Sequence, residues 1–200
     1  MSVRTVLAAD GLPRRAFTIA DLDRMVEAGI VGPEERLEIV HGELIPRADK
    51  SARHEILKRE MNYRLVRGLP PEALFIPETG WRLEPTLYLE PDFLIFPAGV
   101  RQAAVTGRDA LLVIELSDST LGYDLGREAF VYSSHGIPER WVIDAVRLVI
   151  QVHRQPGREG YASVTLQERN DLVTPHLVPE LSIRLADLDL AELDEPDFGD

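Results

Sequence analysis

Several residue types and patterns are absent from this chain of 200 residues, and each absence removes a class of function. The chain contains no cysteine, which excludes disulfides and thiolate metal sites and fits a reducing compartment. No stretch approaches the roughly 18 apolar residues that a membrane helix requires, and the first apolar run is too short for a signal peptide. We therefore expect a soluble, cytoplasmic protein with no membrane partner.

Basic residues are scarce overall but concentrated in one segment. The net charge of -12 argues against broad, nonspecific affinity for nucleic acid, which depends on neutralising phosphates. Between residues 47 and 67 the balance reverses, with seven Lys or Arg residues against three acids. This basic segment is compatible with local phosphate contact and with an ordinary solvated helix face, and we favour the solvated face.

The length and the hydrophobic content of 44% indicate one globular domain. Residues 1–16 show no clear periodicity and are expected to form a flexible arm. Residues 17–190 are predicted to form a single α/β domain. Residues 191–200 are acidic and are expected to be a disordered tail.

The segment 50–68 is the clearest predicted helix. Its apolar stripe consists of Leu57, Met61 and Leu65, and His54 lies on the same stripe one turn earlier. We therefore expect His54 to face the sheet rather than solvent.

Periodicity and turn residues predict the remaining elements. Thr18 and Asp21 have the spacing of a capping box and predict a helix that ends at Gly29. A second helix is expected over 124–135, with Asp124 as its N-cap. Strands are predicted at 36–40 and 43–45, which form a hairpin, and at 73–76, 80–83, 91–96, 111–116, 140–143, 148–153, 161–167 and 181–185.

Two acids inside apolar runs are the strongest functional signal in the chain. Asp92 lies in the run 91–96 and Glu115 lies in the run 111–116, 23 residues apart. A buried carboxylate is costly unless a positive group meets it. For either acid alone we favour a solvated strand end. For both at matching depth on neighbouring strands we favour a site for a hard cation, because Mg²⁺ typically takes one or two carboxylates and keeps several waters.

Six sequence pieces occur in a diagnostic order. They are 35–43 (ERLEIVHGE), His54 at the head of a helix, Pro91-Asp92, 113–120 (VIELSDST), 124–126 (DLG) and 132–144 (YSSHGIPERWVID). The match that they anchor covers roughly residues 17–190. In this order they resemble the Uma-two family of bacterial restriction endonucleases, a branch of the PD-(D/E)XK nuclease superfamily.

The resemblance implies a restriction-endonuclease-like fold of the α/β (α+β) class, with a central mixed β-sheet flanked by helices. It implies a DNA endonuclease that hydrolyses phosphodiester bonds with Mg²⁺ or Mn²⁺. Carried over by position, Asp92 and Glu115 are the metal ligands, and the Leu116 carbonyl is a third. Related nucleases often act as dimers so that both strands are cut, so a homodimer is one option.

Two further residues are candidates for a catalytic role. His54 matches the family's helix histidine and could reach the metal's water or a phosphate. We give equal weight to a structural histidine buried under the sheet. Glu38 alternates with Leu37 and Ile39, so it faces the opposite side of its strand. It could join the acid cluster or pair with an arginine of the basic segment, and both options stay open.

The chain departs from the superfamily pattern at the lysine that steadies the attacking hydroxide. Ser117 stands two residues after Glu115, where that lysine usually lies. Glu128 stands at its alternative place on the following helix, where it could instead add a third carboxylate. Arg127 is adjacent, but one helical step turns it about 100° away, and a guanidinium cannot act as a base. The chain has only two lysines, Lys50 and Lys58, and neither lies in the C-terminal half. We therefore expect weak cleavage.

The alternative function is a catalytically inactive nuclease-fold protein that serves as a binding module for nucleic acid or for a protein. The missing lysine and the acidic surface favour this alternative. The retained Asp92, Glu115 and His54 favour the enzyme. A structural partner, whose acids merely pair with arginines, ranks third.

Overall fold

The computed structural model describes residues 5–7, 12–47, 50–118 and 124–194. The helices are α1 (Ile19–Glu27), α2 (Ala52–Gly68) and α3 (Ala129–Ser134), and a π-helical turn at Asp124–Glu128 leads into α3. Short 3₁₀ turns lie at Gln102–Ala104, Leu185–Asp187 and Ala191–Asp194. The strands are β1 (Thr5–Leu7), β2 (Pro13–Arg15), β3 (Leu37–Val40), β4 (Glu43–Pro46), β5 (Ala73–Pro77), β6 (Trp81–Glu84), β7 (Leu87–Leu89), β8 (Phe93–Pro97), β9 (Leu112–Ser117), β10 (Glu139–Asp144), β11 (Val149–Gly157) and β12 (Gly160–Gln167). In the part of the chain covered by these ranges, no helix combines the length and apolarity of a membrane span.

The chain divides into two compact units. The first unit comprises Met1–Asp49 and Gly80–Glu90, and the second comprises Lys50–Thr79 and Pro91–Asp200. The expectation of a single domain over 17–190 stays a prediction.

The first unit contains a four-stranded antiparallel sheet and one helix. The strand order of the sheet is β4-β3-β7-β6. Helix α1 begins with the predicted capping box, in which the Thr18 side chain accepts from the Asp21 amide and the Asp21 side chain accepts from the Thr18 amide. Ile19 and Leu22 of this helix pack with Ile39 of β3 in a small core.

The predicted hairpin of the first unit is confirmed as β3 and β4. His41 and Gly42 both have positive φ, 50° and 86°, as a type I′ turn requires. A side chain at position 42 would also meet the Cβ atom of Ala16 at 2.7 Å. Glycine is therefore needed there for its conformation and for space.

The second unit is built on a six-stranded sheet with the order β12-β11-β10-β9-β8-β5. Strands β9 and β10 run parallel and the other neighbours run antiparallel, so the sheet is mixed as predicted. The apolar stripe of α2 (Leu57, Met61 and Leu65) is fully buried against this sheet and packs in one core with Phe93 and Ile114. This packing fixes which face of α2 looks toward β8 and β9.

Some predicted elements differ from the structure. Strand β7 was not predicted, because three residues between turns give little periodicity. The predicted strand at 181–185 is wrong: Ile183 forms one isolated bridge with Val173. Part of the expected arm pairs as β1 and β2. The predicted Asp124 cap and the tail from residue 195 lie outside the described side chains and residues.

Candidate active site

The two acids of the sequence motif meet on adjacent strands of the second unit. Asp92 immediately precedes β8, Glu115 lies in β9, and the antiparallel register pairs Phe93 with Ile114. One step further along this register brings positions 92 and 115 opposite each other. Their side chains are 1% and 2% exposed. The predicted placement of the acids at matching depth on neighbouring strands is confirmed.

Backbone amides tie the acid pair together. The Asp92 amide donates to Glu115 Oε2 at 3.3 Å, and the Leu116 amide donates to Asp92 Oδ2 at 2.8 Å. Each carboxylate therefore accepts a hydrogen bond from a backbone amide at or next to the other acid. Such bonds favour the charged form of a carboxylate and fix its orientation.

Asp92 Oδ1 receives two further donors from the beginning of α2. His54 Nε2 lies 3.0 Å from this oxygen, and Lys50 Nζ lies 2.9 Å from it. Burial raises the pKa of Asp92, but the hydrogen bond and charge of His54 and the charge of Lys50 outweigh it, so the pKa lies well below its ordinary value. Asp92 is therefore an anion in a nearly closed environment.

The position of His54 confirms the expectation that it faces the sheet and contacts the acid pair. Ser51 caps α2 by accepting from the His54 amide, which sets the first turn and directs the ring at Asp92. The side chain is 6% exposed, and Nδ1 lies 3.5 Å from Glu55 Oε1. Because Nε2 donates to Asp92, His54 holds that carboxylate in place. A catalytic role for His54 stays a prediction.

Glu115 is oriented by Tyr132 of α3. The Tyr132 hydroxyl donates to Glu115 Oε1 at 2.6 Å, a short bond of the kind that charged acceptors form. Tyr132 is fully buried and is part of the protein interior. Its hydroxyl adds a polar function that the sequence pattern did not reveal.

Glu128 does not face solvent, and its role as a third metal ligand stays a prediction. Its Oε2 accepts from Arg140 Nη2 at 2.6 Å, with side chains 1% and 0% exposed. The Arg140 guanidinium also lies over the Tyr132 ring, 5.0 Å from its centroid. Glu128, which stands at the family's alternative lysine position, therefore forms a buried ion pair with Arg140 of β10.

The other positions carried over for supporting roles have simpler settings. Ser117 ends β9, is fully buried, and its carbonyl accepts from the Ala145 amide at 2.8 Å. Arg127 is exposed on the π-helical turn. The Leu116 side chain joins the core while its amide serves Asp92. Metal binding by the Leu116 carbonyl stays a prediction.

Glu38 lies in the first unit. It is fully buried in β3, and its Oε1 accepts from the Glu90 amide at 2.8 Å and lies 3.6 Å from Arg47 Nη1. Arg47 belongs to the basic segment but not to α2. Pairing with an arginine of that segment is thus observed, and a catalytic role for Glu38 stays a prediction.

Two basic residues of α2 form ion pairs within the second unit. Lys58 contacts Glu55 and Glu78, and Arg59 contacts Glu60 and Glu192. These pairs are the solvated helix face that the sequence favoured. They do not prevent exchange with a phosphate, because exposed ion pairs contribute little free energy.

The donor set of the acid pair suits a hard divalent cation. Two carboxylates match the number that Mg²⁺ usually takes from a protein. Within the described ranges, no three side chains of His, Asp or Glu are grouped so as to hold a metal, so water or substrate would supply the other ligands. Lys50 and His54 already contact Asp92 Oδ1, so a cation would have to share or displace these donors.

Sequence reasoning missed Lys50 and Glu78. Lys50 lies four residues before His54 and directly precedes the N-cap Ser51, a spacing that was visible in the sequence. Glu78 follows β5 and contacts Lys50. Nothing in the sequence near Glu78 identified it.

Comparisons with known proteins agree with this geometry. A family model described as "Putative restriction endonuclease" (Uma2) matches residues 19–189. No curated protein matches the chain. Among four matching chains of solved structures is a crystal structure of a "putative nuclease" from Anabaena variabilis ATCC 29413, with a TM-score of 0.68 and 16% identity over 86% of this chain and 96% of that one. The likeness establishes the mixed α/β, restriction-endonuclease-like fold, and the match over residues 19–189 means that the chain belongs to the Uma2 family.

Proposed function

We propose that this protein is a divalent-metal-dependent DNA endonuclease that hydrolyses phosphodiester bonds at the Asp92–Glu115 pair. The observation that carries the proposal is the placement of these two buried acids on adjacent strands, each bonded to the other's backbone. Burying two carboxylates side by side is costly for a fold. A function that needs both explains why the chain maintains them.

Asp92 and Glu115 would hold the ion, and Mg²⁺ or Mn²⁺ fits two carboxylate oxygens. When bound there, such an ion lowers the pKa of its water and neutralises charge that develops on the phosphate. The protein keeps both ligands in fixed rotamers. His54 and the Leu116 amide hold Asp92, and Tyr132 holds Glu115.

The reaction is hydrolysis at phosphorus. The oxygen of a water molecule adds to the phosphorus atom, the bond to the leaving sugar oxygen breaks, and the leaving oxygen receives a proton as the water loses one. The residues of the site supply orientation and charge, which dominate catalysis of phosphoryl transfer. None of them forms a covalent intermediate in this scheme.

DNA is the proposed substrate, and the charge of the chain shapes how it binds. The net charge of -12 opposes nonspecific binding, so contact should be local and strongly weakened by salt. Arg59 of α2, which now pairs with Glu60 and Glu192, would exchange these partners for a phosphate. A second copy of the chain would allow cleavage of the opposite strand.

A plasmid-nicking assay with Mg²⁺ and with Mn²⁺ tests the proposed function. The wild type should convert supercoiled plasmid to nicked circles, and Asp92→Asn should not. Asp23→Asn is the matched control, because Asp23 is an exposed acid that pairs with Arg82. Loss of nicking in both variants, or activity that survives in Asp92→Asn, contradicts the assignment.

The second candidate function is a binding module without turnover. Its supporting observation is that Asp92 already has a cation, Lys50, in the protein itself, so the acid can be stable without metal. A wild type that does not nick but retards DNA fragments in a gel would favour this function. The third option required arginines at the acids, whereas Asp92 pairs with a lysine and a histidine.

A further inference from the structure

The ammonium group of Lys50 lies between two carboxylates at the edge of the acid site. Its Nζ is 2.9 Å from Asp92 Oδ1 and also contacts a carboxylate oxygen of Glu78. The side chain of Lys50 is 13% exposed, that of Asp92 1% and that of Glu78 35%. Lys50 therefore connects the buried acid with the surface.

The beginning of α2 and the residue before its N-cap direct two side chains at one oxygen atom. Lys50 immediately precedes Ser51, which caps the helix. His54 follows Lys50 by one helical turn, and both side chains reach Asp92 Oδ1. Residues at the start of α2 thus bring a lysine to Asp92, although neither β9 nor α3 contains one.

Glu78 holds the other side of the ammonium group, and its backbone is fixed at the site. Its φ is +47°, in the left-handed region, which is costly for a residue other than glycine. Its amide donates to the carbonyl of Asp92 at 3.1 Å. The strained backbone conformation thus places the Glu78 carboxylate near Asp92, so that Lys50 contacts both acids.

We propose that Lys50 is the catalytic ammonium group of this acid site, a role that rests on the proposed nuclease function. In the metal-free protein it neutralises Asp92. When a cation and DNA occupy the site, its charge acts on the attacking water and the phosphate oxygens without any proton transfer. A lysine suits this double use, because it is a compact charge with three donors on a flexible stem.

This assignment changes the expectation about turnover. Ser117 and Glu128 lack the positive charge that the family pattern supplies from β9 or from α3. Lys50 supplies a positive charge beside Asp92 from a segment that precedes both acids in the sequence. Weak cleavage therefore no longer follows from the absence of a lysine at positions 117 and 128.

The proposal also predicts competition between Lys50 and a divalent cation. Both positive groups use the carboxylate of Asp92, so removal of the ammonium group should make the acid pair a stronger ligand. A unit charge about 4 Å away changes affinity by about fivefold in water and by about a thousandfold near a protein surface. Metal affinity is thus a readout of Lys50 that does not require turnover.

Lys58 provides a matched control. It is the chain's other lysine, lies on the same helix, and contacts Glu55 at 2.6 Å and Glu78 at 3.1 Å. Like Lys50→Met, Lys58→Met removes an ammonium group that contacts Glu78. It does so without removing a contact to Asp92.

The experiment compares the full-length wild type with Lys50→Met, Lys50→Arg and Lys58→Met. Mn²⁺ titration calorimetry should show binding by Lys50→Met that is tighter by about tenfold or more, whereas Lys58→Met should match the wild type. In plasmid nicking at saturating Mn²⁺, kcat should fall by roughly a hundredfold in Lys50→Met with little change in KM. Lys50→Arg keeps the charge and should recover part of the rate. Circular dichroism establishes that each variant is folded.

Two outcomes overturn the assignment of Lys50. If Lys50→Met equals Lys58→Met in Mn²⁺ affinity, Lys50 is not the resting cation of Asp92. If the wild type nicks plasmid and Lys50→Met nicks equally fast, Lys50 is not catalytic. A wild type that binds Mn²⁺ but never nicks overturns the proposed function and the catalytic role together, while the affinity comparison still decides whether Lys50 is the resting cation. Should Lys50→Met not fold, Lys50→Gln replaces it in both measurements.

Discussion

Two buried carboxylates of the second unit are met by cations in different ways. Glu128 pairs with Arg140, and both side chains are at most 1% exposed. Asp92 pairs with Lys50, which is 13% exposed and also contacts Glu78. The first pair is closed, and its rigid guanidinium cannot exchange partners. The second pair has a flexible cation at the surface, so a metal or a phosphate can compete for either partner. We infer that the closed pair stabilises the fold and that the open pair belongs to function.

Tyr132 connects the closed pair with Glu115, the second acid of the site. Its hydroxyl donates to Glu115 Oε1 while its ring lies under the Arg140 guanidinium. The closed pair therefore supports the residue that orients one of the two acids. Damage to the closed pair should reduce stability first and function only as a consequence.

The largest expected effect is that of Glu128→Lys, which breaks the closed pair. It places a second cation beside Arg140 in the interior, and disruption of a buried pair costs about 3–5 kcal/mol of unfolding free energy. Urea denaturation measures the loss. The double variant Glu128→Leu/Arg140→Met is the control and should lie close to the wild type, because a buried pair can be replaced by apolar groups at little cost. A stable Glu128→Lys protein that nicks DNA faster would show that position 128 is an active lysine site.

The next effect is acid sensitivity at His153, which pairs with Arg140 across β10 and β11. Burial and, as the smaller cause, the charge of Arg140 together lower the pKa of His153 from 6.5 to about 4. As the pH falls below 6.5, His153 becomes protonated in the unfolded chain, whereas in the folded protein it stays neutral until about pH 4. Stability should therefore decrease across that window by on the order of 2 kcal/mol.

Urea denaturation of the wild type and of His153→Gln between pH 7 and pH 4 checks this expectation. The variant should lose less stability over the window than the wild type. Equal slopes for both proteins would show that His153 is not the group responsible.

A smaller effect is expected from Tyr132→Phe, which removes one hydrogen bond to Glu115 and keeps the ring under Arg140. Hydrogen bonds to charged groups contribute about 1.5–3 kcal/mol. Tyr161→Phe is the matched control, because its hydroxyl donates to the neutral Ile137 carbonyl at 3.0 Å and should cost about 1 kcal/mol. Thermal unfolding of both variants gives the comparison. A larger loss in Tyr161→Phe would mean that the bond to Glu115 carries no special weight.

The smallest effect is that of Arg82→Ala in the first unit. Arg82 holds Asp23 with two bonds, at 3.0 and 3.2 Å, but both side chains are about half exposed. Exposed pairs contribute roughly 0–1 kcal/mol, so the midpoint of urea denaturation should barely move. If Arg82→Ala lost as much unfolding free energy as Glu128→Lys, burial would not explain which ion pairs stabilise the protein.

The sequence predicted the elements with strong periodicity or a clear local signal. The stripe of Leu57, Met61 and Leu65 gave α2 and the orientation of His54. The acids Asp92 and Glu115 were found because charges in apolar runs are rare. The turn at His41-Gly42 gave the hairpin.

The sequence could not predict the long-range contacts that decide charge compensation. Arg140 and Glu128 lie on different elements, and no spacing rule connects them. Lys50 was assigned to the helix but not to the acids, because its contact depends on where the first turn of α2 meets β8. Glu78 acts through a left-handed backbone conformation that its side-chain type does not indicate.

Thermal unfolding with and without Mn²⁺ tests most directly the proposal that Asp92 and Glu115 bind a divalent cation. A ligand that binds only the folded state raises its stability as the concentration exceeds Kd. Mn²⁺ should raise the Tm of the wild type and of Arg82→Ala by equal amounts, and should leave the Tm of Asp92→Asn unchanged. An unchanged Tm for the wild type, or an equal rise in Asp92→Asn, would contradict the account.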